Sequence, residues 1–238
     1  MGQDLNRNIM RYNNWFVIRV FILFLIVAMQ SMIYGQTFES SIETEFDEVA
    51  HDAIQDEDGN YVVLSQRGTL FYEYPQIIVY KLSSVGEVLD NSKINIDDDY
   101  RLLNAQNIFC EADGDYIIVG NGKYDSTDKY SQYLCRLNSD FGFMYDTIID
   151  PLDKSDHMLD YILNSDNNIV GVGRVFSSKN NNLFIKEFGI NGELIRRKEI
   201  TWSSWALSSL VEFNDSYRMI TMPSTSTVFT VDNQTLDI

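Results

Sequence analysis

Cysteine, histidine and positive charge are all scarce here, and each shortage excludes a class of function. The 238 residues include two Cys, two His and 18 Lys or Arg against 35 Asp or Glu, for a formal charge of −17. Nucleic acid and anionic membrane surfaces need clustered cations, which this chain does not have. The acidity suits the solubility of an exported domain. His51 and His157 fall in no metal-ligand spacing, and no Gly-x-Ser-x-Gly elbow, Walker loop or zinc motif appears. Asp52 beside His51, and Asp156 beside His157, would be acid–base pairs only if they met in space. The residues therefore assign no catalytic group, no metal ligand and no cofactor.

Long apolar runs are also missing. Residues 15–28 form an apolar run of fourteen that contains Arg19, short of the ~20 residues that span a bilayer. Arg7, Arg11 and Arg19, the apolar run 20–28 and then Gly35-Gln36 have the form of a secretory signal peptide cut after Gly35. Extending the run to Tyr34 admits Gln30 and Ser31 and leaves a membrane anchor as the alternative. The expected division is 1–35 as signal peptide and 36–238 as the folded domain, secreted or at the cell surface, with no stable span once the signal is removed.

What the chain does have is a repeat. Asp58-Gly59-Asn60-Tyr61-Val62-Val63-Leu64 pairs a turn that accepts the left-handed conformation with a β-branched strand. It returns as Asp113-Gly114-Asp115-Tyr116-Ile117-Ile118-Val119, as Asp166-Asn167-Asn168-Ile169-Val170, and in worn form as Asn214-Asp215-Ser216-Tyr217. Aligning Tyr61, Tyr116, Ile169 and Tyr217 gives steps of 55, 53 and 48 residues. A second anchor, 79–88, matches 185–194 and, with its Gly one place late, 134–143. Four strands per unit of about fifty residues, without helical periodicity, predict an all-β, β-propeller-like fold of about four blades of antiparallel strands. The repeats are placed at 50–100, 101–156, 157–206 and 207–238, with an extra strand at 39–46. A β-sandwich or β-solenoid is the competing architecture. The ring is expected either to be small and closed, with strand 39–46 pairing on 227–231, or to be a truncated arc of a larger propeller.

An exported chain with two cysteines invites a disulfide. The repeat puts Cys110 on the first strand of its unit and Cys135 on the third. Two strand spacings of about 4.8 Å then separate them, beyond the ~7 Å Cα distance that a disulfide tolerates. Two unpaired thiols are expected. Asp56-x-Asp58-Gly59-Asn60 hints at a calcium loop, but its twelfth position is Arg67 rather than Glu. Turn chemistry accounts for this cluster, for 97–99 and for Asp153 with Asp156. Trp202 and Trp205, where the third unit hands over to the fourth, are expected to pack between blades.

The turn Asp113-Gly114-Asp115-Tyr116-Ile117-Ile118-Val119-Gly120, with Lys81-Leu82-Ser83-Ser84-Val85-Gly86-Glu87, resembles the blade repeat of secreted bacterial β-propellers of the kind exported through type IX secretion. The resemblance covers roughly residues 50–235 and marks a blade, not an activity. The sequence to Ile238 includes no sorting domain, and four blades are fewer than such rings usually hold. What it implies is an exported binding, adhesion or scaffold propeller whose partner is an extracellular protein or glycan. The alternative is a propeller enzyme, a glycan hydrolase or lyase, working at the central funnel. The funnel candidates are the residues where each first strand enters: His51, Asp52, Gln106, Asn107, Asp160, Ser208 and Ser209.

Overall fold

In the computed structural model the chain divides into Met1–Ser40 and Ser41–Ile238. The residues described are 42, 48–67, 76–94, 100–124, 130–149, 155–176, 182–201, 207–214, 216–221 and 227–236. The expected signal peptide, most of the expected strand 39–46, the 97–99 acids, Asp153, Trp202 and Trp205 lie outside them.

Among the described residues fifteen strands make four antiparallel sheets. The first holds β1 (Glu48–Gln55), β2 (Tyr61–Arg67), β3 (Gln76–Leu82) and β4 (Val88–Ile94) in chain order. The second holds β5 (Tyr100–Cys110), β6 (Tyr116–Tyr124), β7 (Tyr130–Leu137) and β8 (Phe143–Ile149). The third holds β9 (Ser155–Leu163), β10 (Asn168–Phe176), β11 (Asn182–Gly189) and β12 (Leu194–Thr201), and the fourth β13 (Leu207–Glu212), β14 (Ser216–Thr221) and β15 (Thr227–Asp232).

The repeated turn explains the repeated sheet. Gly59, Gly114 and Asn167 all have positive φ, at 80°, 88° and 61°. In each hairpin the residue three earlier accepts from that N–H, and the chain then closes with a second bond, as in Gly114 N to Glu111 O at 3.0 Å and Glu111 N to Asp115 O at 2.8 Å. This is a type I turn capped by a left-handed residue, the three-residue hairpin loop. The turns 83–87, 138–142 and 189–193 have the same bonds. In the second of these the late Gly142 leaves Phe141 in the left-handed place, at φ 59°. Burial of its ring, 5.2 Å from that of Tyr116, offsets that strain. The fourth unit loses one loop residue, with Phe213 N bonded directly to Ser216 O at 2.8 Å.

Strands with apolar residues on both faces can be buried on both faces. Val62, Leu64, Ile77 and Val79 of the first sheet pack on Ile108, Tyr116, Ile118, Tyr133 and Cys135 of the second. The other face of the second sheet, with Ile117, Val119 and Leu134, packs on Met158, Tyr161, Phe184 and Phe188 of the third. Val170, Val172 and Ile185 then cover Leu210, Tyr217, Met219 and Val231 of the fourth. First strands lie against one another in series, β1 on β5, β5 on β9 and β9 on β13, so they are the innermost strands and β4, β8 and β12 the outermost.

The four sheets do not close into a ring, which corrects the closed form expected above. Ile42, the one described residue of the proposed closing strand, packs against the cluster of Ile78, Tyr80 and Leu82 in the first sheet. β15 is the last strand of its sheet among the described residues. Counting strands gives the number of sheets, but the angle between neighbouring sheets decides closure.

Cys110 and Cys135 are unpaired, with β6 between their strands. Burial, and then the charge of Asp146, push the Cys135 thiol well above its usual range. In denaturant without reductant, a maleimide should label both cysteines. In native protein Cys135 should stay unlabelled. Labelling of denatured protein that needs reductant would contradict the unpaired thiols.

Candidate functional site

Each innermost strand carries a β-bulge at the same place. The pairing skips His51 on β1, Gln106 on β5, Leu159 on β9 and Ser208 on β13. A bulge adds one residue to one strand and re-aims the next side chain. Those next residues are Asp52, Asn107, Asp160 and Ser209. The predicted funnel residues therefore fall at one register level, repeated from sheet to sheet.

Their polar atoms, however, are largely spent on the frame. Asp52 accepts at Oδ1 from Ala53 N at 2.8 Å, and at Oδ2 from Ile108 N at 3.0 Å and Asn107 Nδ2 at 3.4 Å. Asp160 repeats the device two interfaces on, accepting from Tyr161 N at 3.0 Å and from Leu210 N of the fourth sheet at 2.6 Å. Each carboxylate thus joins its own strand to the next sheet by charge-assisted bonds. Gln106 donates to Met158 O at 3.2 Å and accepts from Asn121 Nδ2 at 3.1 Å. Ser209 is half-buried, and His51 remains more than a third exposed. Partial burial nevertheless lowers the His51 pKa below its usual value.

His157 stands on β9, away from His51 on β1 with β5 between. It lies across the strand from Arg174, with its ring 6.4 Å from that of Tyr130. Burial, then the charge of Arg174, lower its pKa against a backbone hydrogen bond at Met158. The two histidines are not brought together.

Two inter-sheet clips escaped the sequence reading. Gln66 Oε1 accepts from Ala105 N at 2.9 Å. Asn121, fully buried, accepts from Met158 N at 2.8 Å and donates to Met158 O at 3.0 Å. The two amides sit 55 residues apart, the same step as Tyr61 to Tyr116. That offset was the available signal.

The hairpin acids are likewise occupied. Glu111, Asp113 and Asp115 bring a carboxylate oxygen each within 4.8 Å of one another, a spacing able to hold a cation. The Arg136 guanidinium already fills that place, at 2.8, 3.2 and 3.1 Å. In the first sheet Lys81 does the same for Asp56 at 2.9 Å, and Asp56 also accepts from Asn60 N at 2.8 Å. Turn chemistry thus accounts for Asp56, as expected.

Glu48 ties β1 to β2 and β3 through Arg67 at 2.8 Å and Tyr80 at 2.8 Å. Burial raises its pKa, but bonds from Arg67, Tyr80 and Ser65 outweigh it, and the net shift is downward. A carboxylate lowered in the folded state stabilises above its unfolded pKa, about 4.3, and the gain is lost as pH falls through the folded value. The melting temperature of wild type should exceed that of Glu48→Gln at pH 7. The gap should narrow as the pH falls from about 4.3 through the lowered folded value. A gap that does not narrow would show that the carboxylate's charge is not what stabilises.

No protein-family model matches the chain, and a search of curated proteins found no match. Solved structures do match. A GH43 β-1,3-galactosidase with galactodeoxynojirimycin superposes with TM-score 0.51 at 11% identity, over 77% of this chain and 73% of that one. CoXyl43, a GH43 β-xylosidase/α-arabinofuranosidase from a compost microbial metagenome in complex with xylotriose, gives 0.54 at 12%, over 84% and 78%. Both are propellers. The fold is a β-propeller arc. A protein of unknown function from Bacteroides caccae matches at TM-score 0.47 and 9% identity, over 81% of this chain and 66% of that one. The propeller's first strands carry the axial residues, its outermost strands form the rim, and identities this low speak to architecture alone.

Proposed function

We propose that this propeller is an exported, non-catalytic binding scaffold for an extracellular protein or glycan. The observation that carries the reading is the occupation of the axial level. Asp52, Asp160 and Gln106 hold neighbouring blades together rather than standing free toward a substrate. Catalysis asks for positioned groups whose protons and lone pairs are available to the reacting atoms. Export rests on the basic start, short apolar heart and Gly35-Gln36 of the leader. Exported protein should begin at Gln36, and N-terminal sequencing that finds Arg7 or Arg11 on secreted material would overturn the signal peptide.

The second reading is a glycan-cleaving propeller enzyme, favoured by the fold shared with a galactosidase and a xylosidase/arabinofuranosidase. Incubation with aryl β-galactoside, β-xyloside and α-arabinofuranoside separates the two. The scaffold reading expects no turnover above buffer. Turnover that the double variant His51→Ala, His157→Ala abolishes would replace it with the enzyme.

A further inference from the structure

Of all the asparagines in the chain, only Asn121 and Asn191 precede a glycine. That order matters chemically. Glycine has no Cβ to shield its backbone nitrogen, so the nitrogen can attack the side-chain amide of the asparagine before it. The Gly N–Cγ bond forms, the Cγ–Nδ2 bond breaks, and the glycine proton leaves with the amide as ammonia. Water then opens the five-membered imide at either carbonyl, giving aspartate or its isomer isoaspartate. Water is the one co-reactant.

The two sites share a dipeptide and little else. Asn121 is buried, with its amide held at both ends by Met158. Asn191 is open to solvent, and its Oδ1 accepts from Glu193 N at 3.1 Å. Its backbone is nonetheless fixed. Gly192 N donates to Gly189 O at 2.8 Å and Gly189 N to Glu193 O at 2.9 Å, which makes Asn191 the second central residue of the type I turn 189–192. That position has ψ of about 0°, so the next nitrogen and the Asn Cβ stand roughly 120° apart about the Cα–C bond. Ring closure needs them nearly eclipsed. The turn is also clamped on the second blade. Tyr145 donates to Ile190 O at 3.0 Å, and Ile190 packs on the core between blades two and three. A Cβ at Gly192 would lie 2.6 Å from Thr147 Cγ2.

We propose that Asn191 is a self-modification site gated by this clamp. The amide reacts only when the turn leaves the second blade, an opening local to blades two and three. The change is then permanent. Isoaspartate adds a carbon to the backbone of a loop whose two hydrogen bonds fix its length, so the native turn cannot re-form. A new carboxylate also stands two residues from Glu193. A transient release of the third blade's turn thereby becomes a covalent record of itself. Buried Asn121, gripped by Met158, keeps its amide for as long as the chain is folded. The site is independent of the scaffold reading and goes beyond it.

The test incubates the purified full-length chain at mildly alkaline pH, folded or in urea, and follows both asparagines by peptide mass spectrometry. Conversion adds about 1 Da to the peptide concerned, and isoaspartate methyltransferase labelling identifies the isomer. In urea both sites should convert. In folded protein Asn191 should convert about tenfold more slowly than in urea, and Asn121 should stay intact. Tyr145→Phe removes the hydroxyl that holds Ile190 O. It should speed folded conversion of Asn191 about threefold and leave the rate in urea unchanged. If that variant folds poorly, Thr147→Ser, which removes the methyl against Gly192, should act in the same direction. Converted protein, separated by ion exchange, should exchange its amide hydrogens faster at residues 189–193 than the parent. Equal rates in folded protein and in urea would overturn the proposal, because the turn would then guard nothing. Clamp variants that match wild type would overturn it too, as would an isoaspartate form that exchanges as slowly as the parent. An Asn191 that stays intact in urea while Asn121 converts would remove the chemistry itself.

Discussion

Gly173→Ala should destabilise the propeller by about 3 kcal/mol, the upper end of what forcing atoms into a packed core costs. A Cβ at Gly173 would lie 2.4 Å from His157 O, 2.7 Å from the Phe184 ring and 2.9 Å from Met158 Cα. Two of the three are backbone of the bulged strand β9, which cannot rotate away as a side-chain end can. Gly120 is its equivalent one blade back, and there a Cβ would meet Asn104 O at 2.1 Å. At both glycines the bulged inner strand comes too close to leave room for a side chain. In the first blade Ser65 holds the place, its hydroxyl donating to Val49 O at 3.4 Å. For a domain of this size about 3 kcal/mol lowers the melting temperature by roughly 6–12 °C. Unchanged melting of both Gly120→Ala and Gly173→Ala would mean that the inner strands are not held as described.

Asn121→Leu comes next in size. Its amide holds both the N–H and the C=O of Met158, imitating a strand pairing across two blades. Leucine has about the same bulk but no polar atoms, so the Met158 N–H and part of Gln106 are left buried without partners. Each orphaned group costs about 1–3 kcal/mol, which predicts a total of about 2–4 kcal/mol. Because Gln106 also reaches Met158 O, Gln106→Ala should cost less after Asn121→Leu than before it. A double-mutant cycle by urea denaturation reads that coupling. Strictly additive costs would separate the two amides and break the clip into unrelated contacts.

Much of this architecture could be read from residues, and the reason is local. A left-handed turn position needs Gly or Asn, and a buried strand needs Val, Ile or Tyr, so Asp58-Gly59 and Asp113-Gly114 announced their hairpins directly. The innermost strand was legible as the first of each unit, and its polar residues could be named. Their role could not. Whether Asp52 faces a ligand or the Ile108 N–H depends on a bulge and on the rotation between sheets, neither of which has a residue code. The open arc escaped for the same reason. A strand at 39–46 in sequence register for the last blade says nothing about the distance between the first and fourth sheets. Val88-Leu89, Phe143-Met144 and Leu194-Ile195 are exposed on the outer strands, but apolar letters in an outer strand look like core until exposure is known.

Among the described residues each sheet packs on its neighbours through three successive cores. A closed ring would make every blade equivalent in this respect. An open series behaves like a row of coupled units, in which stability is the sum of each unit's own term and the terms of the interfaces it shares. Blades two and three share two interfaces each, while the three-stranded fourth blade shares one. Amide hydrogens should therefore exchange slowest at Ile118 and Ile185 and earliest at Met219. The propeller would then loosen from its C-terminal blade inward, a gradient of opening along the arc rather than a single all-or-none event.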